Sequence, residues 1–472
     1  MRPHGTTTTA LIVVAFVAAT IAAIPSGPAS ALVTNAPTGT ASAATMITAG
    51  DQHSCASLDG AVRCWGRNAV GELGLGDGET RGDEPYEMGA SLAVVDLGDG
   101  RTATALDAGT THTCALLDND AVRCWGYNMF GELGVGDGAT RGNNPGEMGD
   151  DLPEVDLGPG RTAVAITAGG GHSCAVLDDS MVKCWGGNYG GALGLGDTLN
   201  RASNFPVVDL GPGRTATAIT AGSNHTCAIL DDGTVKCWGY NGEAGGVAAG
   251  QLGLGDTINR GDDPHEMGAN LPPVDLGPDR TATAITAGTN HTCAILDDDT
   301  TKCWGFNATG QLGLGDTINR GDDPDEMGAN LPPVDLGPGR TATAITAGTN
   351  HTCAALDNGT IKCWGANLLG RLGLGDTINR GDDPDEMGAN LPPVDLRAPC
   401  PTTPHGFTDV AASSFAAADI ACIKALGITT GTSPTTYDPT GSVTREQMAA
   451  FLARTWRTHN SNTAWVSLVP GD

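Results

Sequence analysis

The sequence predicts an all-β fold, a closed β-propeller of about six four-stranded blades, followed by a small C-terminal α-helical module. Three observations predict it. The 472 residues include 70 glycines and 27 prolines, so turns are frequent. Apolar residues recur with a period of two, as at Ala282 and Ala284 and again at Cys293 and Ile295, which is typical of short strands. A unit of 53 to 66 residues occurs six times, and this length suits one multi-stranded propeller blade.

Each unit contains a predicted β-hairpin with two cysteines. Placing Cys55 opposite Cys64 leaves Asp59-Gly60 as a two-residue loop, a favoured type I′ turn. In the other five units the cysteines are one residue further apart, and the loop grows by one residue, so they stay opposed. Opposed residues at non-hydrogen-bonded sites lie within bridging distance, which makes six local disulfides the simplest pairing. The predicted pairs are Cys55–Cys64, Cys114–Cys124, Cys174–Cys184, Cys227–Cys237, Cys293–Cys303 and Cys353–Cys363.

A further strand is predicted at the recurring Val-Asp-Leu, which brings the count to about four strands per blade. The first unit begins at Thr45-Met46-Ile47 with no such strand before it, and the last unit ends in Val394-Asp395-Leu396. We expect the final strand to complete the first blade, because ring closure removes two exposed sheet edges.

The first 31 residues have the order of a secretory signal peptide. Arg2 precedes an apolar run from Ala10 to Ile24, and Ala29-Ser30-Ala31 supplies a cleavage site. A retained anchor is the alternative, but about 15 apolar residues are fewer than the ~20 that cross a bilayer. The even number of cysteines, 14, agrees with an oxidising compartment. We therefore expect a secreted or cell-surface protein with no membrane span after cleavage, and residues 32–43 form a linker.

The charge balance limits the partners. The chain has 25 basic and 54 acidic residues, a net charge of −29, and such a surface repels polyphosphate. Nucleic acid is therefore excluded as a partner. The sequence contains no Gly-x-Ser-x-Gly elbow, His-Glu-x-x-His pair or phosphate loop, and no cofactor is expected.

The repeated motifs resemble those of the regulator of chromosome condensation family. They are His-Thr-Cys-Ala-Ile-Leu, Lys-Cys-Trp-Gly-x-Asn and Gly-Gln-Leu-Gly-Leu-Gly-Asp, and the resemblance covers residues 44–397. It implies a bladed propeller. The family's namesake is a nucleotide exchange factor that binds chromatin, whereas an exported acidic chain lacks access to that partner and has the wrong charge for DNA.

A second module, residues 406–457, follows a proline-rich linker at residues 398–405. Its segments Phe407-Thr408-Asp409-Val410 and Val443-Thr444-Arg445-Glu446-Gln447 resemble one S-layer homology motif. Thr444 and Gln447 form a predicted capping box at the start of a helix. The resemblance implies docking on cell-wall polysaccharide, with Thr444 and Arg445 as the candidate wall-binding residues. A seventh disulfide, Cys400–Cys422, is also predicted, and residues 458–472 are a tail.

Polar and aromatic residues that recur once per unit are the remaining candidates. With the two cysteines, the histidine before each first cysteine offers a set of three zinc ligands, but export and the hairpin register favour disulfides. We predict instead that the histidines pack between blades or form hydrogen bonds, and that the tryptophan after each second cysteine lies in the core. The histidines are His53, His112, His172, His225, His291 and His351.

The acidic loops are predicted to form a solvated rim. The loop at residues 317–326 has clustered carboxylates but no regular calcium-binding pattern, so calcium is the alternative. Arg-Gly-Asp triplets begin at Arg81, Arg260, Arg320 and Arg380, and a three-residue match is weak evidence for receptor adhesion.

The expected function is that of an exported, non-catalytic propeller that presents binding loops at the cell envelope and is attached to the wall through its C-terminal module. The expected partner is an unknown extracellular protein or cell-wall polysaccharide. Two alternatives stay open: a secreted hydrolase with a site assembled from distant loops, and a propeller-type inhibitor of an extracellular enzyme.

Overall fold

Each of the six units forms one antiparallel, three-stranded sheet in a computed structural model that describes residues 44–58, 60–84, 87–242 and 249–395. The strands of a sheet follow one another in the chain, and the middle strand pairs with both neighbours. Sheet by sheet, the strands are β1 Ala44–Ala49, β2 His53–Leu58, β3 Ala61–Gly66; β4 Ala103–Ala108, β5 His112–Leu117, β6 Val122–Gly126; β7 Ala163–Ala168, β8 His172–Leu177, β9 Val182–Gly186; β10 Ala216–Ala221, β11 His225–Leu230, β12 Val235–Gly239; β13 Ala282–Ala287, β14 His291–Leu296, β15 Thr301–Gly305; β16 Ala342–Ala347, β17 His351–Leu356, β18 Ile361–Gly365.

Short 3-10 helices of three residues lie in the connecting loops. They cover Gly89–Ser91, Gly149–Asp151, Tyr189–Gly191, Gly268–Asn270, Gly328–Asn330, Leu368–Gly370 and Gly388–Asn390. Among the described residues, no helix combines the length and the apolar character needed to span a bilayer. The predicted leader 1–31, the linkers 32–43 and 398–405, the module 406–457, the tail 458–472 and Cys400, Cys422, Thr444 and Arg445 lie outside the described residues.

The two cysteines of each hairpin lie directly opposite one another. Cys55 pairs with Cys64 in the register of β2 and β3, and the same pairing recurs in the other five sheets. A disulfide joins the two in every sheet, with Cα atoms 4.0 to 4.1 Å apart. Each bridge therefore closes a hairpin within one unit and does not link one unit to another.

The longer hairpin loops need one residue with positive φ. Gly233 and Gly359 supply it in the fourth and sixth units, with φ of 78° and 77°. The second, third and fifth units lack a glycine there, and Asp120, Ser180 and Asp299 adopt φ of 63° to 65° instead. Aspartate tolerates this left-handed conformation better than most residues, because its short polar side chain bonds locally. These three hairpin loops thus have the same backbone conformation as the loops with glycine.

The Val-Asp-Leu segments lie beside the third strand of their own unit. The Val95 N–H donates to the Val62 carbonyl at 2.8 Å, and the Val394 N–H donates to the Ile361 carbonyl at 2.8 Å. The first sheet therefore already has this neighbour, and the prediction that Val394 fills a missing place in the first blade is wrong. In later units prolines precede the valine, as at Pro333, and they have no N–H to donate. The described sheets have three strands where four were predicted, including the first, in which no proline precedes Val95.

Neighbouring sheets pack through a tryptophan of one unit and a loop of the preceding unit. Trp238 Nε1 donates to the Ala192 carbonyl at 3.0 Å, and four other units repeat this bond. These five tryptophans are fully buried, so they belong to the core as predicted. The preceding loop passes so close that a Cβ on Gly194, which has a φ of +68°, would lie 2.7 Å from Trp238 Nε1.

The sixth and first sheets meet differently from the five consecutive pairs. Thr349 Oγ1 donates to Asp51 Oδ1 at 3.2 Å and joins the two ends of the array. However, Trp65 is only half-buried, so the prediction of a core tryptophan is wrong for the first unit. Gly373, the counterpart of Gly194, approaches Val394 instead of a tryptophan. We call this contact the first–sixth junction. In the described residues it lacks the tryptophan packing of the other five contacts.

Looser packing at the first–sixth junction predicts selective reduction of one disulfide. Cys353 is half-buried and Cys363 is 6% exposed, whereas the other ten bridged cysteines are fully buried. Because thiol–disulfide exchange requires access to sulfur, mild reduction of the folded protein is expected to open Cys353–Cys363 first. Alkylation followed by peptide mapping measures the order. Equal rates for all six bridges would contradict the looser junction.

Candidate binding face

A buried asparagine stabilises the loop after the third strand of each sheet, because its side chain forms hydrogen bonds with backbone groups of that loop. In the second unit, Asn128 Oδ1 accepts the Leu133 N–H at 2.9 Å, and Asn128 Nδ2 donates to the Asp137 carbonyl at 3.0 Å. All six equivalent asparagines, from Asn68 to Asn367, are buried. These hydrogen bonds therefore order the residues that follow each asparagine, at one end of the propeller.

Large apolar side chains collect on this end in the second to fourth units. Phe130, Met129 and Tyr189 are 45%, 67% and 58% exposed. The Tyr127 ring meets the Phe130 ring edge-on at a centroid distance of 6.3 Å, and the Tyr189 and Tyr240 rings lie 5.1 Å apart. We call these five residues the aromatic patch. Only 4% of the chain is aromatic, so three tyrosines and a phenylalanine on one face mark a surface suited to contact.

A buried carboxyl lies directly beneath the patch. Glu132 is 1% exposed, and its Oε2 accepts the Phe130 N–H at 2.9 Å. Burial raises the pKa of Glu132 to about 7, against the opposing effect of backbone N–H groups of Phe130, Gly131 and Glu132 itself. Glu132 forms no ion pair within the described residues. It is therefore a titratable group without a charged partner at the base of an exposed surface.

The histidines form hydrogen bonds from each unit to the next. His112 Nε2 lies 2.9 Å from Ser173 Oγ, and that hydroxyl donates to the Glu132 carbonyl at 3.0 Å. The hydroxyl proton is thus used, so His112 Nε2 carries the proton and donates it. Similar bonds begin at four other histidines, with lengths of 2.8 to 3.0 Å. This arrangement agrees with the predicted packing role and leaves no cysteine thiolate for a zinc site in the described sheets.

Burial holds these rings neutral. It lowers the pKa values of His53, His172 and His351 to about 4, and those of His112, His225 and His291 to about 3. A second proton on the ring would also place an N–H at Nδ1, which has no partner in four of the six residues. The histidines are accordingly structural groups.

The acidic loops are ordered by internal bonds. Arg320, the first residue of an Arg-Gly-Asp triplet, pairs through Nη2 with Asp316 Oδ2 at 2.6 Å, and the equivalent pair occurs in all six units. Glu326 Oε2 accepts the N–H groups of Gly321 and Asp323. In the described loops, the arginine of each triplet thus forms an ion pair within its own loop, which disfavours receptor adhesion. No group of three or more histidine, cysteine or acidic residues there is arranged to hold a metal ion.

The aromatic patch was not predicted from the sequence. The residue after each Cys-Trp-Gly differs between units, being Arg67, Tyr127, Gly187, Tyr240, Phe306 and Ala366 in chain order. A search for what the units share passes over this position, and comparison of the differences between units would have found it. The candidate wall-binding residues Thr444 and Arg445 lie beyond the described residues and stay predictions.

Comparison with known proteins supports the repeat assignment. A family model for the RCC1-like domain matches residues 20–331, more than half of the chain. The chain belongs to this family. A regulator of chromosome condensation (RCC1) repeat matches residues 342–371, and an S-layer homology domain matches residues 406–449. The resemblance to an RCC1-type repeat protein with a C-terminal S-layer homology motif is confirmed, and the latter domain points to a protein of the cell surface or S-layer.

Individual relatives differ in what they do. The chain is similar to the ultraviolet-B receptor UVR8 of Arabidopsis thaliana, with 30% identity over 347 residues, 71% of this chain and 68% of the receptor. It is also similar to the probable E3 ubiquitin-protein ligase HERC6 of Homo sapiens, with 28% identity over 65% of this chain but only 26% of that protein. The solved structure of Prp20p from Saccharomyces cerevisiae has a TM-score of 0.54 at 21% identity and covers 74% of this chain and 76% of its own, which shows the fold alone. RCC1-like propellers are mostly regulators and binding proteins.

Proposed function

We propose that this protein is exported and acts at the cell surface as a non-catalytic propeller, which presents the aromatic patch to a protein ligand. The observation that supports the proposal is the exposure of Met129, Phe130 and Tyr189 at one end of the array, with the half-buried Tyr127 ring against Phe130. Aromatic side chains and methionine are enriched where proteins bind one another, because they bury large areas with few rotatable bonds.

The chemistry of the described residues favours binding over hydrolysis. A hydrolase needs a nucleophile, a base and an orienting group in one asymmetric arrangement. Five of the six histidines are instead buried and bond to structural hydroxyls, and the sixth, His351, is partly buried. A screen of purified protein against wall glycans, peptides and esters separates the two functions, and measurable turnover would favour the hydrolase. An inhibitor of an extracellular enzyme would be found by adding the protein to secreted hydrolases.

The C-terminal module is proposed to attach the propeller to cell-wall polysaccharide. Support comes from the S-layer homology match at residues 406–449, which includes Thr444 and Arg445. Arginine near a helix start opposes the positive end of the helix dipole, so a bound anion explains its presence better than helix stability does.

Arg445→Ala is expected to weaken binding to cell walls about tenfold or more, because a hydrogen bond to a charged group contributes about 1.5–3 kcal/mol. Co-sedimentation with purified native walls measures this for the full chain, for Arg445→Ala and for a chain ending at Arg397. The shortened chain should remain in the supernatant. Equal sedimentation of all three would contradict wall attachment, whereas loss only in the shortened chain would retain the module and dismiss Arg445.

A further inference from the structure

We propose that the aromatic patch binds a cationic side chain, arginine or lysine, of a partner protein, and that Glu132 is the counter-ion for that cation. The inference rests on the proposed function and names the chemistry of the partner.

The first unit contains the same carboxyl with a cation already in place. Glu72 is as buried as Glu132, and its Oε2 accepts the Val70 N–H at 2.8 Å, as Glu132 accepts the Phe130 N–H. Arg67 then approaches Glu72 Oε1 with Nη1 at 3.6 Å. The Arg67 side chain is 40% exposed, so a guanidinium at the surface can reach a carboxyl at this depth.

The second unit lacks that internal cation. Tyr127 occupies the position of Arg67, and its hydroxyl lies 3.1 Å from Met129 Sδ instead of near a carboxylate. The third to fifth units have no buried carboxyl at this position, because Ala192, Gln251 and Gln311 replace the acid. Of the two carboxyls at this position in the described units, Glu132 is the one without a neighbouring cation. A cation from a partner would form the ion pair that Arg67 forms with Glu72.

The side chains around Glu132 suit a cation. Tyr127 and Phe130 present ring faces and edges at the surface, and a cation near an aromatic ring is attracted by the negative charge of the ring face. A guanidinium can lie flat against such a ring while its N–H groups point at a carboxylate, which a neutral apolar group cannot do. The patch therefore favours arginine over lysine.

Glycines in the third unit leave room beside Phe130. A Cβ on Gly187 would lie 3.5 Å from Phe130 Cβ, and a Cβ on Gly171 would lie 3.8 Å from Phe130 Cδ2. In the other units the position of Gly171 carries a larger polar side chain, such as Asn224. Neither Gly171 nor Gly187 therefore places a side chain beside Phe130, which leaves that side of the ring more accessible to a partner.

The charge of the chain agrees with a basic partner. A net charge of −29 attracts cationic surfaces and speeds their encounter, although it does not select a site. Selection must come from a local feature, which here is the buried carboxyl under exposed rings.

Titration of the full-length protein with the peptide acetyl-Gly-Arg-Gly-Arg-Gly-amide tests the inference, at about 150 mM salt to screen general attraction. The same peptide with citrulline, which has the shape of arginine but no charge, is the matched probe. Glu132→Gln is expected to weaken arginine-peptide binding about ten- to hundredfold, and Phe130→Ala about threefold. Glu79→Gln removes an equal charge from an exposed position and should leave binding unchanged.

Two features of the sequence indicate that the variants should fold. Glutamine already occupies the Glu132 position in the fourth and fifth units, and arginine occupies the Tyr127 position in the first. Tyr127→Arg should therefore fold and supply the missing cation internally, so that it weakens binding as Glu132→Gln does. Calorimetry in two buffers of different ionisation enthalpy gives a further readout. Since the pKa of Glu132 is about 7 and no ionised side chain contributes to its shift, binding at pH 7 should release about half a proton in the wild type and none in Glu132→Gln.

Failure of this inference is separable from failure of the proposed function. Absence of arginine-peptide binding, equal binding of the citrulline peptide, or unchanged binding by Glu132→Gln would each overturn the cation site. A pull-down from the native envelope then tests whether the propeller binds a partner through another surface. Partners captured equally by wild type and Glu132→Gln would leave a binding propeller with another contact surface, while the absence of any captured partner would count against the proposed function itself.

Discussion

Acidification from pH 7 to pH 5 is expected to lower the free energy of unfolding by several kcal/mol. The cause is the set of six histidines, five of them buried and His351 partly buried, whose pKa values are lowered by desolvation to about 3 or 4 in the folded state. In the unfolded chain the same rings titrate near pH ~6.5. At pH 5 each ring therefore costs about 2 kcal/mol, on the order of 10 kcal/mol for six.

The sign of this effect follows from proton uptake. Above the unfolded pKa, both states hold neutral rings and the histidines give no pH dependence. As the pH falls below that value, the unfolded chain binds protons that the folded chain rejects, so stability is lost until the pH reaches the folded pKa values. Glu132 acts in the opposite direction, because its folded pKa is raised, and it offsets part of the loss.

Denaturant unfolding at pH 7, 6 and 5 under non-reducing conditions measures the change, and its slope with pH counts the protons taken up. NMR titration of the histidine ring carbons is the control, because the rings should remain neutral at pH 5 in the folded protein. Equal stability at pH 7 and pH 5 would show that the imidazoles are not confined as described.

How far the sequence predicts this molecule depends on whether a feature is shared by all units. The cysteine register followed from loop lengths, because turn geometry fixes which residues oppose one another. The position of Trp238 in the core followed from its recurrence. The cysteine contacts are local to each hairpin, and the tryptophan contact recurs in five of the six units, with Trp65 as the exception.

Features that differ between units were less predictable. The partner of Val394 was assigned wrongly, because sequence order alone does not say whether a strand joins the sheet before it or the sheet after it. Glu132 has the same spacing as Glu72, and only Arg67 in the first unit distinguishes the two environments. Such differences concern one side chain each, and their meaning appears when the atoms around them are known.

Trp238→Ala is expected to lower the free energy of unfolding by about 3–5 kcal/mol. The ring packs in a core formed with residues of the preceding unit, including Leu193 and Val208, and its Nε1 donates to the Ala192 carbonyl. Removing the ring leaves a cavity between two sheets and takes one of two donors from that carbonyl, which keeps the bond from Thr226 Oγ1. Chemical denaturation of oxidised protein measures the loss.

Trp65→Ala is the matched control, since it removes the same ring from the same position of the first unit. Trp65 is half-buried, and Gly373 of the sixth unit does not cover it as Gly194 covers Trp238. Less apolar area returns to water on substitution, so the expected loss is about half as large or smaller. If Trp65→Ala instead costs as much as Trp238→Ala, the first–sixth junction must close in solution into a sixth tryptophan-packed interface. Trp65 would then be buried in solution, and Cys353–Cys363 should resist reduction as the other five bridges do.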